Sequence, residues 1–444
     1  MQAREATGEP VDVVGAERGE RSGLDLWSCV YAALGGALCG GLAVLFRLAL
    51  GWAEDGYVEL IATANALPDD GWAVLLFVST ALCGIAGWLT FRFAPEASGS
   101  GIPHVEDVLA TGRTMRWRIL LPVKFFAGLC ALGAGMSLGR EGPTVQMGAA
   151  ISEGLAQRFG LKPAQRRALI AAGAGAGLTA AFNAPLAGFV FVLEELGLDA
   201  GALTYSTGLI ATVTSDLVMQ VGLGPGAIFS VGDAPLLPPT ALGLFLCLGV
   251  LSGLLGVLFN QGILRSLDAF AIWRGGPRWH HAAAAGALVA VVAWWFPDAI
   301  GGGEHIAERL LRSEFSVGDP LHYLTLLLAI KFLLTVVCYG SGVPGGLFAP
   351  LLAMGAALGA LVGQWAEPFF DVAVTPALAM AGMVGMFTGS VRVPITGIVL
   401  LLEMTNGQHH LLEFTVTGLV AYLVATALGD RPIYEALLER DLTH

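Results

Sequence analysis

Charge is what this sequence has least of. Acidic and basic residues together make up 13% of its 444 residues, against 55% hydrophobic ones. Soluble domains carry about twice that share of charge, so a soluble enzyme or binding module is excluded. The basic residues form no stripe of the kind that nucleic acid requires. The net charge of −12 is scattered over loops and tails and identifies no partner. All six cysteines (Cys29, Cys39, Cys83, Cys130, Cys247 and Cys338) lie in or beside apolar runs, with no CxxC or other metal-ligand spacing. Buried, reduced thiols and no metal or cofactor are expected. The opening residues hold several Glu and Arg but no apolar core like that of a signal peptide, so residues 1–25 are expected to form a mobile cytoplasmic arm.

What fills the chain instead is apolar sequence, with a mean hydropathy of +0.71. Runs able to cross a hydrocarbon core of about 30 Å recur from Leu26 to Leu428, which predicts an all-α polytopic membrane protein embedded in a lipid bilayer. The first span is expected near Leu26 to Trp52, followed by a loop from Ala53 to Asp70 without a base. Arg92, Arg113, Arg116 and Arg118, then Arg158, Lys162, Arg166 and Arg167, mark cytoplasmic segments. The stretch from Val221 to Thr240 lacks bases, and Arg265, Arg274 and Arg278 restore them. Both termini come out cytoplasmic. The residues after Leu428 are expected to hold no regulatory domain, with 439–444 as a short tail.

Glycine numbers 61, about double the usual share, and many apolar runs break after a few turns at Gly or Pro. Broken backbone at membrane depth is tolerated where it is buried in protein or lines an aqueous cavity, so the breaks point to a pathway. The strongest ones fall at Ser98–Pro103 with Gly139–Pro143, and at Gly340–Pro350. Their corresponding places in the chain suggest two repeats of inverted topology, 26–230 and 231–438, with a site between them.

Three segments carry the chemistry: Ser98-Gly99-Ser100-Gly101-Ile102-Pro103, Gly139-Arg140-Glu141-Gly142-Pro143, and Gly346-Leu347-Phe348-Ala349-Pro350. Each couples glycines that permit a tight turn to a proline suited to a helix's first turn. Such a turn leaves N–H groups unpaired at the positive end of a helix dipole, making an anion site without a fixed positive charge. An anion held by partial charges can still leave. Glu141 is an acid inside one of these intramembrane turns. Ionised, it could occupy the anion position; protonated, it could swing away. Capping its own helix and pairing with Arg140 are the alternatives that spacing leaves open.

In this order the three segments resemble the signatures of the CLC family of chloride channels and chloride/proton antiporters, of the prokaryotic type without CBS domains. The resemblance extends through Ala180-Ala-Phe-Asn-Ala-Pro-Leu-Ala-Gly188 and Glu194-Glu195, Arg392-Val-Pro-Ile-Thr-Gly397, Leu-Glu-Met at 402–404, and Tyr434. It implies a homodimer in which each subunit has its own pathway, exchanging two chlorides per proton. It also implies a chloride site made by the hydroxyls of Ser100 and Tyr434 and the N–H groups of Leu347 and Phe348, with Gly142 adjoining. Glu141 would be the gate and, with Glu195, would carry protons; the neighbouring Glu194 leaves that second choice open. Serine at 100 goes with preference for chloride. His104 departs from the acid that the family pattern suggests, and Lys124, inside an apolar run, is expected to neutralise a buried acid such as Glu106.

A passive CLC channel is the nearest alternative, against which Glu195 argues. An intramembrane serine hydrolase built on Gly99-Ser100-Gly101 would need an activating histidine, and only His104 lies nearby. A serine-directed covalent probe is expected to leave Ser100 unlabelled; mass-spectrometric detection of labelled Ser100 would revive the hydrolase.

Overall fold

The computed structural model describes residues 26–443 apart from 68–69, 198–200, 227, 230–236, 273–276, 315–318 and 406. The expected arm at 1–25 and the repeat boundary at 230/231 therefore lie outside the described residues. The chain forms α1 (Leu26–Ala66), α2 (Gly71–Phe93), α3 (Ile102–Thr111), α4 (Trp117–Gly133), α5 (Glu141–Phe159), α6 (Pro163–Phe182), α7 (Pro185–Glu194) and α8 (Ala202–Leu223). The second half gives α9 (Leu242–Ile272), α10 (Trp279–Trp295), α11 (Glu304–Leu311), α12 (Pro320–Gly340), α13 (Phe348–Ala366), α14 (Thr375–Val391), α15 (Pro394–Thr405) and α16 (Leu411–Ala427). A last helix, α17 (Ile433–Thr443), follows. Six helical segments among the described residues are long and apolar enough to cross a membrane.

The eight principal helices of the second half follow the same order as those of the first. The 3₁₀ turn Pro95–Ala97 precedes α3 as Pro297–Ala299 precedes α11. Both short helices start from a left-handed glycine, Gly101 at φ 82° and Gly303 at φ 91°. Helices α5 and α6 pack as a pair, and so do their counterparts α13 and α14. Helix α2 packs on its own counterpart α10, and α7 on α15, so the pseudo-twofold relation runs between these pairs. Small residues set how close the helices come. A Cβ on Gly148 would collide with the carbonyl of Gly173, and one on Gly355 with that of Gly382, so the same close approach recurs in both halves.

Three expectations about the fold need correction. Cys247, expected to be buried, is exposed on the outer face of α9. The first helix does not end near Trp52 but continues through the expected loop to Ala66. Its extension buries Tyr57, Ile61 and Ala64, which follow helical spacing, and Tyr57 and Ile61 cluster with Leu75, Ala290 and Ala293. The tail at 439–444 is also helical as far as Thr443, and Arg440 ion-pairs with Asp268 near the end of α9.

Candidate functional site

The three glycine-rich turns meet at the centre of the molecule, held by main-chain hydrogen bonds. Gly139 and Gly346 exchange both of theirs, at 2.9 and 2.7 Å. Gly99 N–H donates to Val343 O at 3.1 Å, and Gly345 N–H donates to Gly99 O at 3.0 Å. Gly142 sits where a side chain would collide with Ser100 and Gly346, so it is the third close contact. The turns thereby aim α3, α5 and α13 inward from their N-termini.

Glu141 does not pair with Arg140, which bonds Glu304 at 2.9 Å. Its carboxylate crosses instead to the other half of the molecule. Oε1 accepts the N–H of Phe348 at 2.7 Å and that of Ala349 at 3.3 Å. The residue is fully buried, and Oε2 has no hydrogen-bond partner among the described residues. A carboxylate thus lies at the N-terminus of α13, where the helix dipole and free N–H groups favour an anion. Leu347 is the residue from which α13 starts.

Ser100 and Tyr434 are both fully buried near this point. Ser100 Oγ accepts the N–H of Ile102 at 3.3 Å, and the Tyr434 hydroxyl has no hydrogen-bond partner among the described residues. Tyr434 thus lies in the protein interior. Gly429, at φ 69°, lies just beyond α16, and Asp430 then bonds Arg392 at 2.9 Å and Asn260 at 2.8 Å. The chain so fixed starts α17 with the Tyr434 ring 5.7 Å from that of Phe348.

N–H groups aimed at an anion leave carbonyls aimed the other way, and these need donors. Lys124 supplies them, which corrects the expectation that it neutralises Glu106. Its ammonium, fully buried, donates to Ala97 O at 2.9 Å, Gly99 O at 2.8 Å and Ser100 O at 3.2 Å. Lys331 does the same in the second half, to Ala299 O at 3.2 Å, Ile300 O at 3.3 Å and Gly301 O at 2.5 Å. Glu106 faces Glu195 instead, carboxyl to carboxyl.

The neighbouring glutamates separate cleanly. Glu194 caps α15, accepting from Ile395 N–H at 3.1 Å and Thr396 N–H at 2.6 Å. Glu403 returns the contact to α7, accepting from Leu186 N–H at 3.1 Å and Ala187 N–H at 2.8 Å. Glu194 is thus occupied as a cap, whereas Glu195 is half-buried and faces the carboxyl of Glu106. His104 Nδ1 lies 3.0 Å from Gln146 Nε2, so it accepts there and offers Ser100 no base.

Cavities approach this centre from opposite sides. One of about 690 Å³ reaches Gly139 and Arg140, with Glu54, Asp55 and Glu304 on its walls. The other, of about 330 Å³, ends on Gly99, Gly101 and Tyr339, beside His104 and Arg113.

The family model described as Voltage gated chloride channel matches residues 82–426. The chain belongs to this family. It is 40% identical over 425 residues to the H(+)/Cl(-) exchange transporter ClcA of Yersinia pseudotuberculosis serotype IB (strain PB1/+), covering 93% of this chain and 87% of that one. The ClcA protein of Cronobacter sakazakii (strain ATCC BAA-894) is also 40% identical, over 93% of this chain and 89% of its own. A solved structure described as a slow cyanobacterial Cl-/H+ antiporter superposes with a TM-score of 0.90 at 34% identity, over 95% of this chain and 99% of that one.

As a CLC protein, the chain shows which residues its sequence motifs concealed. Tyr339, ending an apolar helix, carried no motif signal, yet its hydroxyl contacts Ser100. The lysine pair was detectable through its targets: Pro95-Glu-Ala-Ser-Gly-Ser-Gly101 and Pro297-Asp-Ala-Ile-Gly-Gly-Gly303 share a pattern, and each is followed by a lysine within an apolar run. Lys124→Met removes the donor to three buried carbonyls of the CLC turn. It is expected to destabilise the protein by about 3 kcal/mol, the scale of a buried unpaired polar group, read as a lower thermal midpoint in detergent.

Proposed function

We propose that this protein is a secondary active transporter that exchanges chloride for protons, with two chlorides per proton as the family resemblance implies. The observation that carries this is Glu141 Oε1 on the N–H groups of Phe348 and Ala349, a carboxylate in the place of a permeant anion. Protonation removes its charge and most of its attraction to the dipole, so the amides become free for chloride. The same group then holds a proton while chloride is bound, which ties the two fluxes together. Ser100, Tyr434, Phe348, Leu347 and Gly142 surround the path that chloride takes. Glu195 is the internal proton carrier in this reading. Its pairing with Glu106 gives a proton a place between two carboxyls, and its distinction from the capping Glu194 supports the choice.

The relatives named as H(+)/Cl(-) exchange transporters support exchange over passive conduction. We place the protein in a bacterial cell membrane with both termini cytoplasmic, so that the smaller cavity with Arg113 and Arg278 faces inward. Two copies pair as the resemblance implies, each with its own pathway, and every residue of the proposed site comes from one chain.

Proteoliposomes under a chloride gradient are expected to move protons uphill. Chloride flux with no proton movement would identify a channel instead. Glu141→Gln, resembling a permanently protonated acid, is expected to carry chloride with proton coupling abolished. Glu195→Gln is expected to keep chloride flux and lose proton flux at least tenfold, and retained pH-driven exchange in either variant would remove that residue from the mechanism.

A further inference from the structure

The larger cavity meets the gate turn beside a fixed cation. Arg140 precedes Glu141 as the N-cap of α5, and its guanidinium stands on the cavity wall with 10% of the side chain exposed. One terminal nitrogen bonds Glu304 Oε2 at 2.9 Å and donates to Ala181 O at 3.4 Å, while Nε has no hydrogen-bond partner among the described residues. Glu304 is the first residue of α11, so the ion pair joins the two halves of the chain. Gly303 brings it there. At φ 91°, a Cβ on Gly303 would meet that of Ala353 in α13 at 2.6 Å, so glycine is what lets α11 start this close.

The proposed chloride path is built from partial charges, and a fixed cation beside it is a liability. A guanidinium offers five N–H donors around one delocalised charge. In a partly dry cavity its attraction for chloride is stronger than in bulk water, so an unpaired Arg140 would hold the ion next to the gate rather than pass it on. Glu304 removes that attraction by placing a carboxylate where chloride would dock. The second arginine on this wall is treated alike, Arg309 bonding Asp298 at 3.0 Å. With Glu54 and Asp55 beside them, the acids on the wall outnumber its arginines among the described residues.

The geometry points to Glu304 as a positioning residue for turnover: it occupies Arg140, so that chloride crossing the mouth of the larger cavity finds no unpaired cation to hold it. This rests on the transport reading above. Glu304 acts through Arg140 and never touches the ion.

The test measures chloride uptake into proteoliposomes of the full-length protein as bath chloride is titrated, giving a half-saturating concentration and a maximum rate. In Glu304→Gln, which leaves Arg140 unpaired, half-saturation is expected about 5-fold lower, the upper range for one partly exposed ion pair, and the maximum rate about 3-fold lower because the ion is retained. Arg140→Gln leaves the carboxylate alone and is expected to move half-saturation upward by a similar factor. The double variant, neutral like the intact pair, is expected to return to within about 2-fold of the unaltered protein. A merely structural role would lower the maximum rate in all three variants and leave half-saturation in place, and that result overturns the inference. A shift of the same sign in both single variants overturns it as well, and the sign in either one decides if the other fails to fold. If the unaltered protein took up no chloride, the transport reading itself would fall, an outcome distinct from any pattern among the variants.

Discussion

Four main-chain hydrogen bonds among glycines and Val343 hold three helix N-termini around one point, and the rest of the site depends on them. A helix end is a weak anion site in isolation, because its partial charge is shared with water and falls off within a turn. Gathering three ends in a water-poor interior multiplies the effect without adding a permanent cation. The glycines are needed because the segments approach at peptide-to-peptide distance; a side chain on Gly142 or Gly346 would occupy the space of Ser100 or the Glu141 carboxylate. The breaks in the apolar runs, costly for a simple span, are what allow the ends to meet in the interior.

Aiming N–H groups at one point leaves carbonyls aimed away from it, and two buried lysines answer this need. A lysine ammonium buried among apolar helices is expensive unless each hydrogen finds an acceptor, and Lys124 and Lys331 find three each. Their positive charge also lies behind the turns rather than in the path, so it raises the local potential without offering chloride a contact from which it could not leave. The recurrence of this device in both halves is stronger evidence of internal repetition than residue identity.

The sequence made much of this legible. Composition identified a membrane protein, three glycine-proline segments marked the helix ends, and an acid inside one of them marked the gate candidate. These signals are local, carried by turn chemistry a few residues long. What escaped depends on contacts between distant segments. Lys124 was assigned to Glu106 because charge suggests charge, whereas the carbonyls of a turn 25 residues away make the better acceptor set. The ambiguity between Glu194 and Glu195 could not be resolved along the chain, since the group that Glu194 caps lies at the start of α15. The length of α1 was missed because an acidic, base-free stretch resembles a loop until Tyr57, Ile61 and Ala64 are seen to share a buried face.

The reciprocal caps of Glu194 and Glu403 bear on how such a molecule can move. Each half donates a carboxylate to the first turn of a helix in the other, and together these make four main-chain contacts across the seam. Many transporters built from repeats expose their cargo alternately by rocking one half against the other. Rocking here would strip charged caps from two helices at once and also break the glycine ladder, with about 1.5–3 kcal/mol at stake for each charge-assisted bond. The scaffold is riveted where others are hinged, so in the exchange proposed above the working stroke falls to individual side chains, above all to the Glu141 carboxylate.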